Sequence, residues 1–79
     1  MRLLFFHTLR EYTGTVVLGL DLSSPIPAAG VWVELERRFP GISRFASTTR
    51  IARNREYIGP GDLLSPGDEV ALIPPVSGG

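Results

Sequence analysis

Glu69-Val70-Ala71-Leu72-Ile73 is a five-residue stretch, apolar after its leading acid and followed at once by Pro74-Pro75. Five residues are too few for a stable helix, and the β-branched content favours a strand. The two prolines then withdraw backbone donors and stop the pairing. Successive side chains of a strand point to opposite faces, so Val70 and Leu72 share one face and Ala71 and Ile73 the other. A second such run, Leu3-Leu4-Phe5-Phe6, lies at the opposite end of the chain. Leu3 and Phe5 are expected to face the core, while Leu4 and Phe6 share the other side with Arg2. Both runs are apolar enough on both faces to sit centrally in a sheet.

Between them the punctuation is dense. Arg10-Glu11-Tyr12-Thr13-Gly14 is polar and ends in glycine, and reads as a loop into a second strand, Thr15 to Leu20. A short loop between adjacent strands makes these two an antiparallel hairpin. Ser23-Ser24-Pro25 and Pro27 mark a turn and a helix start, proline being tolerated in a first turn. Ala28 to Phe39 is the one good helical stretch. Its apolar residues Ala28, Val31 or Trp32, Leu35 and Phe39 recur at three- and four-residue spacing. Glu34 and Arg38 stand in the favourable i,i+4 order. Gly30 weakens this helix slightly and Pro40-Gly41 ends it. Ile42 to Thr49 is weakly patterned. Ile51-Ala52-Arg53 and Glu56-Tyr57-Ile58 are short strands around an Asn54-Arg55 turn. Gly59-Pro60-Gly61-Asp62 and Ser65-Pro66-Gly67-Asp68 are further turns. One helix against one face of a small mixed sheet is an α+β arrangement. If the first and last strands are neighbours, their connection crosses the sheet and they are parallel. That is the β-grasp, or ubiquitin-like, architecture. The expected organisation is a body over residues 1–74 and a tail over 75–79.

The composition excludes several chemistries. Seventy-nine residues make one small domain, and 43% hydrophobic with 20% charged is ordinary for a globular chain. Eight arginines balance eight acids, there is no lysine, and the formal net charge is zero. A solvated surface explains the scattered arginines better than a nucleic-acid patch. With no cysteine and a single histidine, His7, neither a thiol nucleophile, a cysteine zinc site nor a Ser-His-acid triad can be built. His7 reads as a structural or surface residue. Gly59-Pro60-Gly61 lacks the lysine and helix of a phosphate loop and is a turn. No apolar run reaches membrane-spanning length and the start has no signal-peptide pattern, so the expected location is the cytoplasm.

The chemistry is expected at the end of the chain, Val76-Ser77-Gly78-Gly79. Paired glycines add no stability, since glycine loses the most backbone freedom on ordering. They do allow a carboxylate to thread a narrow slot. Pro74-Pro75 would stiffen the root of the tail in an extended form. Gly79 is therefore read as a carboxylate activated by adenylation and then converted to an acyl derivative; the bland alternative is a frayed end. A second candidate feature is the sheet face opposite the helix. Leu4, Phe6, Ala71 and Ile73 fall on it, and a contiguous apolar group there suggests an interface, unless Ile42 to Thr49 folds across it.

Two segments carry a family resemblance. Leu4-Phe5-Phe6 followed by Arg10-Glu11, and Gly67-Asp68-Glu69-Val70-Ala71 followed by Pro74-Pro75-Val76-Ser77-Gly78-Gly79, resemble the sulfur-carrier subunits of molybdopterin synthases. The resemblance spans the chain and is strongest at its two ends; Pro25 to Tyr57 match only in pattern. It implies that Gly79 is adenylated by a ubiquitin-activating-like adenylyltransferase using ATP, then thiocarboxylated. It implies a large catalytic subunit as partner, in a heterotetramer, with Val76 to Gly79 inserted into that subunit's active site. Sulfur would pass there to cyclic pyranopterin monophosphate. Phe6 and Ile73 match positions that pack on the partner, and Pro74, Pro75, Val76 and Ser77 match the tail that enters it. Gly78 would provide clearance beside Gly79. The resemblance implies no stably bound cofactor, no nucleic-acid partner, and catalytic groups on the large subunit, leaving this chain a non-catalytic sulfur donor.

Other readings share the activation step. Thiamine-pathway carriers have the same fold and Gly-Gly end but usually lack Pro-Pro and the Arg-Glu after the first strand. A protein modifier would form an isopeptide bond through Gly79. A plain interaction module would leave the tail inert.

Overall fold

The structure, a computed structural model, describes residues 1–75. In chain order it has β1 (Arg2–Phe5), α1 (His7–Thr13), β2 (Val17–Gly19) and β3 (Ile26–Pro27). A 3-10 turn (Ala28–Gly30) leads into α2 (Val31–Arg38), and a second 3-10 turn covers Ile42–Phe45. Then come β4 (Arg50–Arg53), β5 (Glu56–Ile58), β6 (Leu63–Leu64) and β7 (Glu69–Ile73). Five strands form one sheet in the order β2-β1-β7-β4-β5, and β3 pairs with β6 in a separate two-stranded ribbon. The two apolar terminal strands are neighbours at the centre. They run parallel, with Leu3 opposite Val70 and Phe5 opposite Leu72. The β-grasp arrangement expected from the strand order is the one observed.

The core lies between this sheet and α2. Leu3, Phe5, Val70, Leu72 and Ile51 come from the sheet, and Ala28, Val31, Trp32 and Leu35 from the helical side. Phe39 is only partly buried but meets Phe5 edge-on, with ring centroids 6.0 Å apart. Ile42 is fully buried, and Phe45 and Ala46 pack against the same cluster. The weakly patterned segment after α2 is thus spent on the helical side of the sheet and does not fold across the opposite face.

The structure corrects the sequence reading in four places. The polar stretch before Gly14 is a helix, not a loop. Leu9 of α1 is fully buried, Thr13 Oγ1 donates back to the Leu9 carbonyl at 2.9 Å, and Gly14 closes the turn at φ 68° with its N–H on Arg10 O. Seven residues with one buried apolar position show no 3.6-residue period, so tertiary packing of Leu9 decides the helix. Pro27 lies in β3 rather than in a first helical turn, and Gly30 separates a 3-10 turn from α2 instead of sitting inside one helix. Leu63-Leu64, read as lying between turns, is the strand that pairs with β3. Finally, Glu34 approaches Arg37, at 3.8 Å, and among the described residues no Glu34–Arg38 pair forms. This exposed ion pair adds little to stability.

The loops are held by local hydrogen bonds. Asn54 and Arg55 both take left-handed conformations, φ 50° and 75°, giving the tight turn that joins β4 to β5. Asp62 and Asp68 close the two Gly/Pro turns by accepting from the backbone N–H of Gly59 (2.7 Å) and Ser65 (2.8 Å). Asn54 Nδ2 also donates to Asp68, and these bonds hold the Asp68 carboxyl below its ordinary pKa, the Ser65 bond contributing most. At the end of α2, the Glu36 carboxylate accepts from the backbone N–H groups of Gly41 and Ser43.

Candidate functional site

The face of the sheet away from α2 is built by strand register. Leu4 stands opposite Val17 on one side and Ala71 on the other. Ala71 pairs with Ala52, and Ala52 with Tyr57. One uncharged and largely apolar row therefore crosses all five strands, Val17-Leu4-Ala71-Ala52-Tyr57. The inward neighbours of these residues are the core leucines and valines, so strand alternation alone puts the row outside. Val17 and Tyr57 at the two edges are 46% and 57% exposed. Leu4 and Ala71 are half-buried, and Ala52 is buried.

The row is bounded differently at its two ends. Toward the start of β7, Arg2 pairs with Glu69, with Nη2 and Oε2 2.9 Å apart. Beside them lies a shallow hollow of about 350 Å³ lined by Met1, Arg2, Pro66 and Glu69, at the sheet end remote from the tail. Toward the end of β7, Ile73 stands opposite Arg50. Phe6 follows Phe5 in extended conformation (φ −118°, ψ 152°). Continuing the β1–β7 register one step brings Phe6 alongside Ile73, and both are half-buried. Pro74 is buried and Pro75 exposed. The chain thus leaves the body at the apolar end of this face.

Of the residues expected to matter, Leu4, Phe6, Ala71 and Ile73 are brought together. Pro74 belongs to the packed body, and Pro75 is the first exposed residue of the tail root. Val76, Ser77, Gly78 and Gly79 lie outside the described residues. His7 is exposed at φ 49°, its ring 6.3 Å from that of Phe6. Arg10 and Glu11 are exposed on α1. Sequence reading missed Val17, Ala52, Tyr57 and Arg50, because their membership of the face depends on register between β4, β5 and β7. Alternation within each strand supplied the only signal. Among the described residues no group of three His, Asp or Glu side chains is placed to hold a metal ion. Nor is any helix there long and apolar enough to cross a membrane. The geometry thus suits docking.

Comparison with known proteins agrees with this architecture. The sequence matches the ThiS family over residues 3–79. The chain belongs to the ThiS family. The human molybdopterin synthase sulfur carrier subunit is 37% identical over 82 residues, covering 100% of this chain and 93% of that protein. Among solved structures, SAMP1 from Haloferax volcanii superposes with a TM-score of 0.84 at 28% identity, covering 99% of this chain and 97% of that one. Subunits 1 and 2 of the molybdopterin-converting factor from Helicobacter pylori have been solved as a complex. That structure matches with a TM-score of 0.64 at 20% identity, covering 99% of this chain and 96% of the matched one, a likeness of fold.

Proposed function

We propose that this ThiS-family chain is the sulfur carrier subunit of a molybdopterin synthase. The observation that carries the reading is that the outer apolar row runs to Ile73 and the Pro74-Pro75 pair, after which the sequence continues as Val76-Ser77-Gly78-Gly79. A face that docks on a large catalytic subunit, and a tail leaving from its edge, together deliver a terminal group into that subunit's active site. The name of the human relative and the two-subunit Helicobacter pylori complex support the same partner.

The chemistry begins at the Gly79 carboxylate, which is unreactive toward nucleophiles at neutral pH. Within an activating enzyme, a carboxylate oxygen attacks the α-phosphorus of ATP and pyrophosphate leaves. The acyl adenylate then accepts a sulfide-level nucleophile at its carbonyl carbon, and AMP leaves. The product is a thiocarboxylate. Its sulfur adds to a carbon of cyclic pyranopterin monophosphate in the large subunit and displaces an oxygen substituent there; water then cleaves the acyl carbon–sulfur bond, leaving the sulfur on the pterin and returning the carboxylate. A second charged carrier completes the dithiolene. Gly78 provides clearance, Phe6, Ile73 and Pro75 hold the exit against the partner, and Val76 and Ser77 line the entry. ATP serves the activating enzyme, this chain holds no cofactor of its own, and the work is done in the cytoplasm.

Mass spectrometry of chain isolated from cells with the pathway intact tests this. Replacement of one carboxyl oxygen by sulfur adds about sixteen mass units, the signature of the activated carbonyl having been captured by a sulfur nucleophile. Gly78→Ala is expected to abolish that species while the chain still folds. Unmodified chain in such cells, or normal molybdopterin production by a chain lacking Gly79, would overturn the reading. The likeness to SAMP1, a small archaeal modifier protein, favours a second reading in which Gly79 forms isopeptide bonds. Gly-Gly remnants on lysines of other proteins would identify it.

A further inference from the structure

Arg50 is the one charged residue in the Phe6–Ile73–Arg50 group at the tail end of the outer face. Its position opposite Ile73 puts it beside the strand end from which the tail departs. The guanidinium lies over the ring of Tyr57, with Cζ 3.9 Å from the ring centroid. Stacking on one side fixes the plane of the fork while leaving its in-plane N–H donors available. The other arginine of this face, Arg2, is already paired with Glu69. Among the described residues no carboxylate lies within ion-pair distance of Arg50.

We infer that Arg50, held by Tyr57, is a specificity-determining residue of the docking face, and that it takes a carboxylate side chain of the large catalytic subunit. The inference rests on the docking role proposed above. A partner that covers the apolar row and receives the tail also covers Arg50. A charge taken out of water without a counter-charge is costly, so a surface lacking an acid there is rejected. A planar fork already locked in place accepts a carboxylate through two parallel hydrogen bonds with little further loss of side-chain freedom. Apolar contact from the row supplies area, and this one pair fixes register and discriminates among partners.

The test is binding of the full chain to the molybdopterin synthase large subunit of the same cell, without pterin or nucleotide. Leu4→Arg serves as the control for the face as a whole. Arg50→Ala is expected to weaken binding about tenfold or more, mainly through faster dissociation, as when one partner of a covered ion pair is removed. Arg50→Lys, which keeps the charge but not the fork, should fall between. Tyr57→Phe, which keeps a ring beneath the guanidinium, should weaken binding less than Tyr57→Ala. Tyr57→Ala should reduce the effect of Arg50→Ala in the double variant, which independent sites would not do. Unchanged thermal melts of the Arg50 variants would separate recognition from folding. If Leu4→Arg abolishes binding while Arg50→Ala stays within twofold of the parent, the inference is overturned and the docking face stands. If the parent chain does not bind the large subunit, both fail.

Discussion

Leu4 of β1 lies directly across from Ala71 of β7 in a parallel register, although the two are separated by most of the chain. Their neighbours Leu3 and Val70 point into the core and are fully buried. One pairing therefore builds the hydrophobic core on one side of the sheet and the candidate docking surface on the other.

Because of that division, Leu4→Arg should separate folding from recognition. Leu4 is half-buried on the outer face, so a long cation can lay its stem along the row and keep its head in water. The melting temperature is expected to move by only a few degrees, matching a change of about 1 kcal/mol or less in a small domain. Co-purification with the large subunit should be lost. Loss of the fold together with binding would show that the face is structural.

Leu9 tests the helix that sequence reading missed. It is the single buried residue of α1 and belongs to the central core cluster. Leu9→Ala removes that anchor and leaves a cavity, at an expected cost of about 2–5 kcal/mol in urea unfolding. Thr8→Ala, an exposed position on the same helix, should shift the midpoint little. If Leu9→Ala melted like the parent chain, α1 would not be docked in the core.

Gly41 ends the turn after α2 at φ 92°, a conformation that L side chains rarely adopt. A Cβ there would also stand 2.5 Å from Tyr12 Oη, whose bond to the Pro40 carbonyl (2.7 Å) ties α1 to this turn. Gly41→Ala is expected to destabilise by more than about 1 kcal/mol, since strain outweighs the entropy gained in the unfolded chain. Gly30 is the contrast. Its φ is −69°, the nearest side-chain atoms to an added Cβ are 3.9 Å away, and Gly30→Ala should stabilise by about 0.4–1 kcal/mol. Equal melting temperatures for the two variants would contradict the backbone argument.

The Glu36 carboxylate accepts from Ser43 and Gly41, and these bonds, Ser43 foremost, hold its pKa below the ordinary value of 4.5. Asp68, held chiefly by Ser65, is likewise below its ordinary 3.8. The folded chain thus binds fewer protons than the unfolded chain on the acid side of these values. The stabilising contribution is fully present above the unfolded pKa and fades as pH falls through the folded one. Stability of the parent chain should therefore decline between about pH 5 and pH 2, where carboxylates with depressed pKa values take up protons. Glu36→Gln should make that decline shallower while lowering stability at neutral pH. A Glu36→Gln chain whose acid decline parallels that of the parent would refute the assignment.

Local pattern was enough for the main strands and for α2, because strand alternation and helical spacing are properties of neighbouring residues. The Asn54-Arg55 turn was legible for the same reason, since asparagine tolerates positive φ. Helix α1, the β3–β6 ribbon and the full extent of the outer face were not. Leu9 is helical because of the pocket it fills, and Ile26-Pro27 becomes a strand because Leu63-Leu64 lies beside it. Arg50 and Tyr57 join Leu4 and Ile73 only through the register of β4 and β5 on β7. Sequence by itself determined which residues alternate and which main stretch coils. Tertiary structure decided which alternating faces align into one surface, because register is set by packing between segments far apart in the chain.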